Sequence, residues 1–198
     1  MHALVKDKIE NKGLGVLFTT LGLLSGLPFS LFTSTLLYWL NNFAIETTLM
    51  VNISLLSMPY AFKPLTASVI DYMRNKGLVC YQKILLIASL GVSIALLYVS
   101  RIDPLLQTKT FMIITLVGCF FSSVVDIIVD AARIIIVPES KKPIITSYFI
   151  TSYRVAMLIT GSFVVFIHGQ YQITYSSLYA TTAILLLGLG LLLSLIHI

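Results

Sequence analysis

Two acids and one arginine, Asp126, Asp130 and Arg133, are spaced four and three apart inside an apolar run from Phe111 to Val137. About 20 apolar residues suffice to cross a bilayer as a helix, so this run is long enough. Residues three and four apart share a helix face, which places the three charges in one stripe, with Cys119, Ser122 and Ser123 extending it. Phe121, Val124, Ile128 and Ile135 form the opposite face, suited to lipid or to neighbouring helices. Ionisable groups in hydrocarbon are costly and normally face a bundle interior or a watery cavity. Two acids on adjacent turns therefore point to a site, or to an ion-pair network that ties helices together.

Two further charges stand inside apolar runs. Lys63 lies in Pro59-Tyr60-Ala61-Phe62-Lys63-Pro64, and Arg154 shares a helical side with Ser147, Thr151 and Gly161. Lys63 must snorkel, pair or line water. Measured along the helices from their basic ends, Asp126 and Arg154 fall roughly 15 Å deep, and Asp130 and Lys63 roughly 10 Å, at about 1.5 Å per residue. All four reach similar levels, so mutual pairing is geometrically permitted and would lower the cost of each.

The elements that carry these residues follow from composition. Of 198 residues, 58% are hydrophobic and 11% charged, and mean hydropathy is +0.97. Soluble domains carry roughly 25% charged residues, so an all-α integral membrane protein is expected. Six spans are predicted, at about 13–40, 47–70, 84–100, 111–137, 144–167 and 178–198, after an amino-terminal segment over 1–12. The first apolar run continues to about Trp39 without a small-residue cleavage site, which favours an uncleaved helix over a signal peptide. Within it Ser25-Gly26-Leu27-Pro28 marks a helix break, with Gly26 and Pro28 as its candidates, either a packing kink or a bend lining a substrate path. Asp71, Arg74 and Lys76 read as a charged turn after the second span.

The amino-terminal segment and the second and fourth loops hold Lys6, Lys8, Lys12, Arg74, Lys76, Lys83, Lys141 and Lys142; the other loops hold only Arg101 and Lys109. Lysine and arginine accumulate on the cytoplasmic side, so both termini are expected there. The net charge of +5 does not signal nucleic acid, because the cations form no basic face. Zinc-ligand spacing, a phosphate-cradling glycine loop and a nucleophile motif are all missing from the sequence; no enzyme activity, metal or cofactor is expected. Cys80 and Cys119 have no evident reason to pair. Polar or broken features mark the first, second, fourth and fifth spans, and the third and sixth lack them. That pattern suits a 3+3 inverted repeat, as in six-helix transporter halves.

Three blocks together resemble the AmpG-type muropeptide permeases, a branch of the major facilitator superfamily. They are Ser25-Gly26-Leu27-Pro28 with Ser34-Thr35-Leu36 and Trp39-Leu40; Pro59-Tyr60-Ala61-Phe62-Lys63-Pro64-Leu65 with Asp71; and Asp126-Ile127-x-Val129-Asp130-Ala131-x-Arg133 with Tyr153-Arg154 and Gly161. The pattern departs from the family's at Thr66, Ser68, Val125 and Ala132. Such permeases have about twelve membrane helices in two six-helix halves, and the resemblance covers the amino-terminal half only. It implies proton-coupled import (symport) of anhydro-muropeptides for cell-wall recycling, across a bacterial inner membrane. It makes Asp126 and Asp130 proton-coupling candidates, Lys63 and Arg154 their partners or contacts for substrate carboxylates, and Asp71 part of a gating loop. The expected partners are the bilayer, protons, a small-molecule substrate, and a second half or a second copy of the chain. Two other classes remain open: a non-transporting truncated remnant, and an accessory membrane protein that docks on another permease.

Overall fold

In a bilayer, backbone polar groups must be satisfied within the chain, which leaves helices as the economical solution for long apolar runs. The computed structural model describes residues 2–41 and 55–195, and all regular structure among them is helical. Helix α1 (His2–Ser30) passes through a π-helical turn at Leu31–Thr35 into α2 (Leu36–Asn41). A 3₁₀ turn at Leu55–Ser57 leads to α3 (Met58–Ala61) and α4 (Lys63–Asn75), followed by α5 (Tyr81–Arg101) and α6 (Thr108–Ile136). Helix α7 (Lys142–Leu158) passes through a second π turn at Ile159–Phe163 into α8 (Val164–Tyr171), and α9 (Tyr175–Leu195) follows.

Five continuous helical stretches among the described residues are long and apolar enough to cross a membrane: Gly13–Asn41, Tyr81–Arg101, Thr108–Ile136, Glu139–Tyr171 and Tyr175–Leu192. The chain is thus an all-helical, multi-pass membrane protein. The remaining expected span, 47–70, begins in residues that lie outside the described ones; its described part is α3 and α4. The backbone of the amino-terminal segment is already helical from His2 and continuous with the first span.

The sequence reading placed a break at Gly26 and Pro28. Instead α1 continues through both, and Pro28 sits inside the helix. Proline removes one backbone donor and crowds the preceding turn; the helix widens one turn later, at Leu31–Thr35. Neighbours take up groups there, as the Tyr179 hydroxyl donates to the Leu31 carbonyl at 2.6 Å. The second π turn lies opposite the first, with Thr35 Oγ1 donating to the Thr160 carbonyl at 2.5 Å.

Gly26 serves close approach between α1 and α7. A Cβ there would lie 2.6 Å from the Tyr153 carbonyl oxygen and 2.9 Å from Ala156 Cβ, and one at Gly22 would lie 2.7 Å from the Phe149 carbonyl oxygen. Ser30, one turn beyond Gly26, lies 2.9 Å from where a Cβ on Gly161 would stand. Gly22, Gly26 and Ser30 thus form a small-residue stripe, the pattern that lets membrane helices pack backbone to backbone. Gly91 similarly accepts the Phe121 ring between α5 and α6, and Gly190 accepts Ser89 between α9 and α5.

One end of the bundle gathers Trp39, Phe111, Tyr175 and Tyr179, with ring centroids 5.1–5.9 Å from that of Trp39. The other end collects Arg74, Lys76, Lys83 and Lys142 near the ends of α4, α5 and α7.

Gly26→Leu should lower the thermal midpoint of the purified chain in detergent, because overpacking a tight contact costs about 1–3 kcal/mol or more. Gly188→Leu, where a Cβ meets nothing within 4 Å, should change it little. Equal shifts for the two variants would contradict the seam.

Candidate functional site

The site grows from Asp126, which lies ten residues before the end of α6 and is only 4% exposed. Its carboxylate is held from two other helices. The Ser25 hydroxyl of α1 donates to Oδ1, and the Lys63 ammonium of α4 pairs with Oδ2. One buried acid thereby ties three segments far apart in sequence.

The chain places Lys63 there by breaking its helix. Pro59 and Pro64 each sit in a first helical turn, and Phe62 between α3 and α4 has left the helical region at φ −88°, ψ 9°. The Phe62 carbonyl opens the new helix, accepting from the amides of Leu65 and Thr66, both at 3.1 Å. Lys63 is consequently the first residue of α4. A cation at a helix N-terminus opposes the helix dipole, and the Asp126 carboxylate offsets that as well as its own burial.

Aromatic side chains wall the pair. The Tyr60 hydroxyl donates to Ser122 Oγ at 2.7 Å, and the Lys63 ammonium stands 5.1 Å from the Tyr60 ring centroid. Phe29 meets Tyr60 edge-on at 4.8 Å and Tyr153 at 6.2 Å. A cavity of about 250 Å³ opens beside them, lined by Ser25, Lys63, Asp126, Asp130, Tyr153 and Arg154 among others. All four charges singled out from the sequence border this one space.

They do not form one network. Asp130 pairs with Arg133 of its own helix at 2.8 Å, and its side chain is 50% exposed. Arg133 also lies 4.9 Å from the Phe149 ring, which fixes it against α7. Arg154 makes no ion pair with any described residue. It lines a second cavity of about 570 Å³ with Ser30, Ser34, Tyr38, Gly161 and Ser162, next to both π turns. Asp71 lies within α4 and not in the charged turn expected of it, because that helix continues to Asn75 before the chain turns at Gly77, φ 71°. There Asp71 accepts from the Tyr81 hydroxyl at 2.7 Å, linking α4 to α5.

Two residues of the site escaped the sequence reading as partners. Ser25 stood in the block taken as a helix break, and its hydroxyl was the available signal. Tyr60 lies one turn before Lys63, a spacing that could have flagged it.

No family model matches the chain. Among curated proteins, the one named "Putative transporter AmpG 4" of Rickettsia conorii is 28% identical over 145 residues, 72% of this chain and 35% of that protein. The same organism's "Putative transporter AmpG 1" is 29% identical over 165 residues, covering 80% and 38%. An uncharacterized protein of Haemophilus influenzae is 28% identical over 167 residues, covering 84% and 39%. The matched region spans less than two-fifths of the length of each of these relatives. The similarities support the relationship to AmpG-type permeases that the three motif blocks suggested.

Leaving a buried carboxylate without its counter-charge costs about 3–5 kcal/mol, whereas a half-exposed pair is worth about 1 kcal/mol or less. Lys63→Met should therefore lower the thermal midpoint well beyond the effect of Asp130→Asn. The double variant Lys63→Met/Asp126→Asn should recover part of the loss, since no unpaired charge remains. A Lys63→Met midpoint matching the native one would contradict the tie.

Proposed function

We propose that the chain is a membrane transporter segment that couples protons to import of a small molecule, with Asp126 as the protonated group. The observation that carries this reading is the buried carboxylate tied to both Ser25 and Lys63 beside a cavity bordered by three further charges. A proton arriving at Asp126 replaces the ammonium as its counter-charge and frees Lys63, still cationic, to meet an anionic group on the substrate. Deprotonation restores the pair. Asp130, half exposed next to Arg133, is a relay between Asp126 and the basic end. Arg154 offers a second cation to a carboxylate entering between α1 and α7.

The substrate class, anhydro-muropeptides, rests on the resemblance and on relatives named as AmpG transporters. The major-facilitator arrangement of six helices as a 3+3 repeat is part of the same proposal. Exchanging α1 with α6, α4 with α7 and α5 with α9 turns the α1/α7 contact into α6/α4, the α5/α6 contact into α9/α1, and returns α5/α9 to itself. The helix contacts correspond in kind, though those of α1 with α7 and of α5 with α6 are far more extensive than their counterparts. A bacterial inner membrane, cytoplasmic termini and cytoplasmic placement of the basic end complete the reading.

One observation favours a partner. The stretch Glu139–Tyr171 is the least buried of the five spans and carries Arg154 beside an open cavity. Exposed to lipid, that face is costly; a complementary half or a second copy would cover it. On this second reading the chain transports only in company, or docks on another permease.

Cells lacking their own muropeptide permease, expressing this chain, should take up labelled anhydro-muropeptide above background. Asp126→Asn at matched membrane levels should reduce that uptake to background, and Asp130→Asn should retain more than Asp126→Asn does. Background uptake from a stably inserted native chain would overturn transport by the chain alone and leave the partner-dependent reading.

A further inference from the structure

The basic end carries a feature that the proposed transport path does not use. A crevice of about 330 Å³ opens between α5 and α6 and reaches inward as far as Leu21 of α1. Its inner body is apolar, walled by Leu85, Ile128, Val129, Ala132 and Ile136. Its mouth is polar and carries Arg74, Tyr81 and Gln82. Ile135, 54% exposed, forms its outer rim.

Arg74 is held at that mouth by Tyr81. Its guanidinium lies 4.6 Å from the Tyr81 ring centroid, and Nη1 is 3.5 Å from the Tyr81 hydroxyl. Asp71, the nearest acid on the same helix, instead accepts from that hydroxyl, and Arg74 makes no ion pair with any described residue. Lys76, whose ammonium lies over the Tyr72 ring at 4.6 Å, and Lys83 add positive charge to the same end. Among the described residues of this end, Arg74, Lys76, Lys83, Lys141 and Lys142 outnumber Asp71 and Glu139.

A polar cationic mouth above an apolar slot, at the end of membrane-crossing helices, matches one kind of molecule in the surroundings. We propose that this crevice binds an anionic phospholipid of the bilayer, with its phosphate at Arg74 and an acyl chain along Leu85, Val129 and Ile136. Basic pockets between transmembrane helices select anionic head groups in this way. A neutral zwitterionic lipid gains the slot but little from the mouth. The occupied crevice would brace α5 against α6, the helix that carries Asp126.

The chain, purified in mild detergent, is incubated with equal amounts of phosphatidylglycerol and phosphatidylcholine of matched acyl chains, and bound lipid is counted by native mass spectrometry. Phosphatidylglycerol should be retained preferentially. Arg74→Gln should cut its retention roughly fivefold, the contribution of one basic side chain toward an anionic lipid surface, and leave phosphatidylcholine unchanged. Ile135→Trp, which fills the rim from an exposed position, should lower retention of both lipids. Lys109→Gln, at the opposite end, should alter neither. Equal retention of the two lipids by the native chain would overturn the proposal, as would a phosphatidylglycerol preference that survives Arg74→Gln, or retention unchanged by Ile135→Trp.

Discussion

A carboxylate in the middle of an apolar span has to be met from outside its own helix, and the layout around α6 follows from that requirement. Asp126 sits roughly 15 Å from the nearer end of its helix at about 1.5 Å per residue, too deep for a short side chain to reach the interface. Its charge is tolerated because α1 supplies a hydroxyl and α4 supplies an ammonium. The second supply depends on a helix interrupted at Phe62 between two prolines. The first depends on α1 lying close enough for Ser25 to reach across. Without the ammonium the acid becomes an unpaired buried charge; without Ser25 one carboxylate oxygen loses its donor.

The approach of α1 is set on its other side by α7. Gly22 and Gly26 bring the two backbones together, and the π turns that follow face each other through the Thr35–Thr160 hydrogen bond. Single π turns inside membrane helices often accompany functional sites, and here the pair borders the cavity that holds Arg154. A close-packed α1–α7 seam thus sits between two polar spaces: one beside the Asp126 tie, the other beside Arg154, which makes no ion pair with any described residue. The two spaces share Arg154 and Met157, so motion of α7 would change both.

Much of this was legible in the sequence, and the limits have physical causes. Apolar run length gave the membrane helices, because hydrocarbon thickness fixes how many residues must be apolar. Rise per residue gave the depths of Asp126, Asp130, Lys63 and Arg154, which do border one cavity. Depth says nothing of rotation about the helix axis, so which acid meets which cation stayed open; the structure gives Lys63 to Asp126 and Arg133 to Asp130. Gly26 and Pro28 read as a break because both weaken an isolated helix, but a neighbour's close packing holds α1 continuous. Asp71 read as a loop because charge ended the apolar run, whereas the helix itself ends only at Gly77.

Proton coupling as proposed requires Asp126 to be the group that gains and loses a proton. Infrared difference spectra of the chain in proteoliposomes, recorded across a pH titration, report the carbonyl stretch of a protonated buried carboxyl directly. The account predicts such a band in the native chain, its loss in Asp126→Asn and its persistence in Asp130→Asn. A band that survives Asp126→Asn, or that disappears with Asp130→Asn instead, would contradict it.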